Sequence, residues 1–221
     1  MMKASQTLPQ GYREHGRISL KKNKPLLLWL NVLAVPWFLL CALFFGVMTS
    51  LLRPLNFAIL GSAFPLETPL GAVGAIAALF ATVVITLCVV LILHELTHGL
   101  FFWLFTKSRP AFGFKGWYAY AAAPGWYLPR AQFLVVVGAP LTLLSLLGEA
   151  LLLLVPWAVV PWVLWGLIVN AGAAIGDLYL IACLMLAPRA AVIEDRGDEM
   201  TWYVPAKRFA SLEEQQQRFD I

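Results

Sequence analysis

Charged residues are scarce in this sequence. Only 13% of its 221 residues are Asp, Glu, Lys or Arg, whereas 61% are hydrophobic, and the mean hydropathy is +0.78. A typical soluble domain carries about a quarter charged residues, because its surface must be hydrated. The shortage excludes an ordinary soluble domain and predicts an integral membrane protein.

Cysteine is also rare. The residues Cys41, Cys88 and Cys183 have no paired spacing, so they support neither a disulfide framework nor a thiolate metal site. We interpret them as small apolar core residues. No segment resembles a nucleic-acid-binding module, and basic residues beside the membrane explain the net charge of +4. Nucleic acid is therefore not an expected partner.

Long apolar runs dominate the sequence instead. Each of four runs is long enough for the roughly 20 residues that a spanning helix needs. The runs cover about residues 26–49, 72–105, 131–155 and 162–187. The second run is too long for one span, and proline and glycine punctuate its start. We therefore expect residues 51–77 to form an interfacial or partly re-entrant connection, with the span near 79–105.

These runs predict an all-α membrane protein with about four transmembrane helices and a short aromatic-rich hairpin or loop. The expected domains are a basic tail at residues 1–24, a polytopic membrane domain at 25–187 and a second tail at 188–221. In the second tail, acidic residues such as Glu194 and Asp195 alternate with basic ones. We interpret this pattern as a solvated face or a short surface helix.

Basic residues set the predicted orientation. Six lie in the tail 1–24, four in the connection 106–130 and five after residue 187, whereas the 51–71 connection has one and residues 156–161 have none. By the positive-inside rule, both termini and the 106–130 connection face the cytoplasm. We therefore predict a multi-pass protein of the cell membrane with both termini cytoplasmic.

The 106–130 connection sets aromatic residues among turn residues. The aromatic residues are Phe112, Phe114, Trp117, Tyr118, Tyr120, Trp126 and Tyr127. The pattern indicates a short hairpin. Two interpretations stay open: an interfacial loop of aromatic anchors, or an edge strand beside an active site to which an unfolded peptide adds by backbone hydrogen bonds.

The polar segment of the second run carries the chemistry. Within residues 26–187 the only histidines are His94 and His98, and Glu95 follows the first directly. Residues four apart share one helix face, so both imidazoles can reach one metal ion while Glu95 flanks it. Polar groups can also serve only to hydrogen-bond neighbouring helices. Two histidines and a carboxylate within one turn are costly in a bilayer, which favours a zinc site with a general base.

A catalytic zinc ion needs a third protein ligand, and depth in the membrane selects the candidate. His94 and His98 lie roughly 10 to 16 Å from the cytoplasmic end of their helix at Phe105. Asp177 lies about 15 Å from the same face, whereas Glu149 lies roughly 27 Å away and is interpreted as a boundary residue. Asp177 is therefore the predicted third ligand, and a hydrogen bond to a hydroxyl on another helix is its alternative role.

Asn170 lies two turns before Asp177 on the same helix face. Its amide could hydrogen-bond the substrate or a developing oxyanion, and a helix-to-helix hydrogen bond is the interpretation that we favour. Nucleophilic catalysis by serine or cysteine has no support, because no third histidine lies in the apolar region to act as a base.

Four stretches together resemble the site-2 protease type of intramembrane zinc metalloprotease, and more closely a small bacterial group of uncharacterised zincin peptidases. They are HELTHG at 94–99, PAFGFKGWYAY at 110–120, GAP at 138–140 and NAGAAIGDL at 170–178. The resemblance covers about residues 85–187. It implies a metalloprotease-like domain with a Zn²⁺ ion bound by His94, His98 and Asp177. Glu95 is then the general base.

Site-2 proteases usually carry prolines and Leu-Asp-Gly after the asparagine, where this chain has Gly-Asp-Leu. The resemblance implies a zinc-dependent endopeptidase that hydrolyses membrane-embedded or membrane-adjacent segments near the cytoplasmic face. Its expected partners are a membrane protein or peptide substrate and the lipid bilayer, and no oligomeric state is predicted. The alternative is a non-enzymatic metal-binding membrane protein, such as a transporter or sensor, which needs the metal ligands but no base at Glu95.

Overall fold

The computed structural model describes residues 2–19, 22–53, 69–115 and 118–206. Its helices are α1 (Lys24–Leu52), α2 (Pro69–Thr106), α3 (Arg130–Ala139), α4 (Ser145–Leu154), α5 (Val160–Ala173) and α6 (Ile175–Leu186). A π-helical segment, Pro140–Leu144, joins α3 to α4. The strands are β1 (Tyr12–Ser19), β2 (Ala111–Phe114), β3 (Ala119–Ala122), β4 (Tyr127–Pro129), β5 (Val192–Asp195) and β6 (Glu199–Pro205).

Three helical segments in the described part of the chain are long and apolar enough to cross a membrane: α1, α2 and the continuous segment from α3 to α4. The helices α5 and α6 make a fourth only if they count as one span with a 42° bend. Large side chains of α2 such as Val73, Ile76 and Phe80 are 64 to 69% exposed, a surface suited to lipid rather than water. The helices are compatible with a membrane protein, and the predicted four spans are the upper value of the observed range.

The helix of the second span begins earlier than the predicted connection allows. Helix α1 continues to Leu52 and α2 begins at Pro69, so residues 69–77 are helical instead of forming part of a connection. Proline is well tolerated in the first helical turn, where its missing N–H has no helical acceptor. Glycine weakens a long apolar helix without ending it. The remainder of that connection, residues 54–68 with Pro65, lies outside the described residues.

The prediction of an all-α chain is also wrong. An antiparallel four-stranded sheet has the order β1-β6-β5-β4, so both predicted tails contribute strands. The second tail is therefore no surface helix in its described part. Its strand signal is the alternation of Met200, Trp202 and Val204, of which the first and last are buried. The division at residues 24 and 187 stays a prediction.

The aromatic hairpin is confirmed. Strands β2 and β3 pair antiparallel from Ala111 opposite Ala122 to Phe114 opposite Ala119. The tip residues 116 and 117, including the aromatic Trp117, lie outside the described residues.

The chain divides into two compact units. The first comprises residues 1–30, 95–139 and 176–221. Its hydrophobic core joins the end of α2 to α3, α6, β5 and β6, because apolar side chains from all five elements are buried together. Among them are Phe102, Phe133, Val136, Leu184, Ile193 and Met200.

The second unit comprises residues 31–94 and 140–175. Its core is formed by α1, α4 and α5 through buried residues that include Cys41, Phe45, Leu152 and Leu167. Cys41 is thus a core residue as predicted, whereas Cys88 is exposed on α2. The three cysteines form no disulfide in the structure.

Candidate metal centre

The last turns of α2 bury polar side chains. His94, Thr97 and His98 are 4%, 7% and 8% exposed, whereas Leu96 is half exposed. Spacings of three and four residues place the buried side chains on one face of the helix. Glu95 follows round the helix and is partly buried. Both imidazoles therefore lie on the face that the fold covers.

A backbone carbonyl fixes the orientation of His98. Its Nδ1 lies 2.9 Å from the carbonyl oxygen of Val136 on α3. A carbonyl oxygen only accepts hydrogen bonds, so Nδ1 must carry a proton and donate. Nε2 is then the nitrogen that can bind a metal ion.

An asparagine fixes His94 in the same way. Asn170 on α5 donates from Nδ2 to the carbonyl oxygen of Pro140 at 3.2 Å, which turns its Oδ1 away from that carbonyl. Oδ1 lies 3.1 Å from Nδ1 of His94. Because amide oxygen only accepts, His94 also carries its proton on Nδ1 and can bind a metal ion through Nε2.

Asp177 completes the group. It lies in the first turn of α6, where the helix dipole favours a carboxylate. Its Oδ1 lies 3.4 Å from Nε2 of His98, and an unprotonated nitrogen and a carboxylate oxygen approach each other favourably only with a proton or metal ion between them. One potential ligand atom each from His94, His98 and Asp177 lie within 4.8 Å of one another.

This group fits a zinc ion. Two imidazole nitrogens and one carboxylate oxygen form a donor set that catalytic zinc sites use, with water in the fourth position. Tetrahedral ligands at about 2.0 to 2.1 Å from zinc are roughly 3.3 Å apart, which agrees with the separation of His98 and Asp177. No second group of this kind occurs among the described residues.

The hairpin β2–β3 packs on α2 beside the histidines. The ring of Phe112 contacts Gly99, the residue directly after His98, so closely that a side chain at Gly99 would collide with it. On β3, the ring of Tyr120 packs equally closely against Gly197 in the turn between β5 and β6. The two glycines therefore permit the hairpin and the turn to approach their neighbours.

Asp195 is an acidic residue near the centre that sequence analysis missed. It ends β5 and accepts a hydrogen bond from the N–H of Gly197 at 2.7 Å. Burial raises the pKa of Asp195 to about 6, whereas the hydrogen bond from Gly197 and the nearby His98 lower it, and the charges of Glu95 and Asp177 raise it further. The run of alternating charges in the tail gave no sign that this partly buried carboxyl lies near other acids.

The structure brings the three predicted metal ligands together. The roles predicted for the other residues have different outcomes. Glu95 lies one residue after the first ligand, and its role as a base stays a prediction. Asn170 makes the helix-to-helix hydrogen bond that we favoured. Glu149 is partly buried on α4 and is not a member of the metal-binding group. The Val136 carbonyl was not identified from the sequence as the acceptor for His98. Pro140 in the GAP stretch is a signal for it, because a proline has no N–H to donate to the carbonyl four residues earlier.

Comparison with known proteins agrees with this geometry. Residues 87–192 match the profile of a family described as "Putative zincin peptidase". The matched segment contains the end of α2, the hairpin and Asp177. The match supports a zinc-dependent peptidase. No curated protein and no solved structure matches the chain.

Proposed function

We propose that this protein is a zinc-dependent intramembrane endopeptidase of the site-2 protease type. It hydrolyses peptide bonds of membrane-embedded or membrane-adjacent substrates near the cytoplasmic face. The observation that carries the proposal is the grouping of His94, His98 and Asp177 in a chain whose helices are apolar enough to cross a membrane. Glu95 beside the first ligand supplies the group that distinguishes a hydrolase from a metal carrier.

The residues divide the chemical work. His94, His98 and Asp177 would hold the zinc ion through their available nitrogen and oxygen atoms. Bound zinc lowers the pKa of its water toward about 7 and polarises the scissile carbonyl. Glu95 accepts the proton of the attacking water and later donates it to the leaving amine.

The four-stranded sheet supports the proposed orientation. It combines β1 from the N-terminal tail, β4 from the 106–130 connection, and β5 and β6 from the C-terminal tail. Strands of one sheet lie on the same side of a bilayer, because an open sheet cannot cross hydrocarbon with unpaired backbone groups. The distribution of basic residues assigns these three segments to the cytoplasm, and the sheet agrees with that common assignment.

The hairpin is suited to hold an unwound substrate. Among the described residues it forms a sheet of only two strands, so an extended peptide can pair with an outer edge. The contact of Phe112 with Gly99 brings this sheet next to His98. A spanning helix bonds its own carbonyls, so cleavage requires an exposed stretch, and strand addition would keep that stretch extended.

The test compares the wild type with Glu95→Gln in detergent, using a library of membrane peptides and a measurement of bound zinc. We expect the substitution to reduce kcat/KM by about 10²- to 10⁴-fold with zinc retained, because it removes the proton acceptor and leaves the ligands intact. Glu149→Gln is the matched control, since it neutralises a partly buried carboxyl on α4, and it should cleave at the wild-type rate. Equal cleavage by Glu95→Gln and the wild type would contradict the mechanism.

The same experiment separates the peptidase from a zinc transporter or sensor. A transporter or sensor would bind zinc through the same three ligands but cleave no peptide. Stoichiometric zinc without cleavage of any library member would therefore favour the non-enzymatic function and contradict the peptidase.

A further inference from the structure

Pro140 lies next to the hydrogen-bond partners of both histidines: Val136 is four residues before it, and Asn170 donates to its carbonyl. It follows α3 directly and begins the π-helical segment Pro140–Leu144. Its own side chain is buried, and it bonds to no metal-binding residue itself. Its importance lies in the backbone group that it lacks and in the one that it offers.

The missing group is the N–H. In an α-helix the N–H of residue 140 would donate to the carbonyl of residue 136, and proline has no N–H to donate. The Val136 carbonyl is thus left without its usual helical donor inside the protein, where an unpaired carbonyl costs about 1 to 3 kcal/mol. His98 donates to this carbonyl from Nδ1 at 2.9 Å. His98 therefore supplies a hydrogen bond to a carbonyl that receives none from residue 140.

The offered group is the carbonyl of Pro140. It accepts a hydrogen bond from Nδ2 of Asn170 at 3.2 Å, so the amide cannot turn its oxygen to that side. The oxygen of Asn170 faces Nδ1 of His94 instead, at 3.1 Å. Asn170 is 2% exposed and His94 is 4% exposed, so water cannot easily replace the hydrogen bond between them.

We propose that Pro140 is a positioning residue for both metal-binding histidines. Its missing N–H reserves the Val136 carbonyl for His98, and its carbonyl orients Asn170 toward His94. Both imidazoles then carry their proton on Nδ1 and present Nε2 to the metal ion. Hydrogen-bond acceptors for the second ring nitrogen of a histidine ligand commonly orient metal sites in this way. This inference rests on the metal site of the proposed function, and it assigns to one proline the orientation of two ligands on another helix.

The competing explanation is that Pro140 only bends its helix, since prolines and π-helical segments are common causes of kinks. Pro36 inside α1 provides a matched control for this explanation. It also removes a helical N–H, but it lies in a helix without histidine. A purely structural effect of proline should thus appear at both positions, whereas an effect on the histidines should appear only at Pro140.

The experiment measures zinc affinity of the full chain in detergent for the wild type, Pro140→Ala and Pro36→Ala. Alanine at position 140 supplies an N–H that competes with His98 for the Val136 carbonyl. We expect the Kd for zinc to rise about 10- to 100-fold in Pro140→Ala, the usual cost of losing a partner behind a ligand, and to stay near the wild-type value in Pro36→Ala. Equal affinity of Pro140→Ala and the wild type would overturn the inference.

A backbone substitution separates the N–H from the shape of the side chain. Lactic acid at position 140, the ester analogue of alanine, has the alanine side chain but no N–H. We expect its zinc affinity to lie within about threefold of the wild-type value, a much smaller loss than the 10- to 100-fold expected for alanine. A loss equal to that of Pro140→Ala would show that packing, rather than the missing donor, matters, and would overturn the inference.

Nitrogen-15 spectra of the histidines give a readout that a structural role would not change. The chain has three histidines, so the signals can be assigned by substitution. At saturating zinc we expect a hydrogen-bonded Nδ1–H on His98 in the wild type, and its loss or rapid exchange in Pro140→Ala. An unchanged signal would also overturn the inference. A wild type that binds no zinc contradicts the proposed function itself, so the two failures are distinguishable.

Discussion

The two ends of α2 differ in what they expose. Toward its start, Val73, Ile76 and Phe80 present large apolar side chains outward. Toward its end, His94 and His98 are buried and bonded. Lipid accepts any apolar side chain, so the first part needs only hydrophobicity. The last part needs particular partners, because a buried polar group without one is costly. One helix thus combines an end whose apolar surface suits lipid with an end whose buried histidines need specific hydrogen-bond partners.

The largest effect is expected from the loss of a proposed zinc ligand beside the end of α2 that carries His94 and His98. Asp177→Ala removes one of the three proposed zinc ligands, so we expect zinc affinity to fall by more than the roughly 100-fold that loss of an outer partner causes. Phe80→Leu, at the apolar end of α2, keeps a lipid-compatible surface and should bind zinc like the wild type. Competition with a chromophoric zinc chelator measures both variants. An affinity of Asp177→Ala equal to that of Phe80→Leu would remove the distinction between the two ends.

A smaller loss is expected from Asn170, which touches the centre only through His94. Asn170→Ala should weaken zinc binding about 10- to 100-fold, since His94 loses the acceptor for its Nδ1 proton. Asn170→Asp should lose less, because a carboxylate still accepts that proton although it cannot donate to Pro140. The same chelator competition ranks the two variants. If aspartate were no better than alanine, the orienting role of this hydrogen bond would be refuted.

Two glycines of α2 test the comparison through stability. Gly99→Ala introduces a side chain against the ring of Phe112, so we expect a loss of about 1 to 3 kcal/mol. Gly74→Ala, near the start of the helix, meets no atom within 4 Å and should gain about 0.5 to 1 kcal/mol from helix propensity. Unfolding in mixed micelles measures both changes. Changes of the same sign would show that the two ends are not packed differently.

A further effect, which depends on pH, concerns Asp195 near the buried histidines. Its pKa is raised to about 6, chiefly by burial, against about 3.9 in an unfolded chain. The fold disfavours the ionised form, so this residue reduces stability as pH rises from about 4 to about 6, and the loss is complete above that range. Asp195→Asn keeps an acceptor for Gly197 without the charge.

We therefore expect metal-free Asp195→Asn to match the wild type near pH 4 and to be about 1 to 2 kcal/mol more stable above pH 6.5. Thermal unfolding across this pH range measures the difference between the two proteins. A difference that does not change with pH would mean that the Asp195 carboxyl ionises as freely in the fold as in water.

Local features could be predicted well, because hydropathy and helical spacing are properties of neighbouring residues. The grouping of His94 with His98 follows from one helical turn, and depth along two helices was sufficient to select Asp177. The sheet was missed because strand pairing joins distant segments, as when Tyr12 pairs with Pro205. The roles of backbone groups were also missed, since the carbonyl that orients His98 belongs to a valine whose side chain gives no sign of it.

The central claim is that the end of α2 carries a zinc site within an apolar chain. Its most direct test is the zinc content of the purified full chain, measured by elemental analysis after exchange into zinc-free buffer. The wild type should retain one zinc ion per chain, and a variant combining His94→Ala with His98→Ala should retain none. A wild type without zinc, or a double variant with as much zinc as the wild type, would contradict the claim.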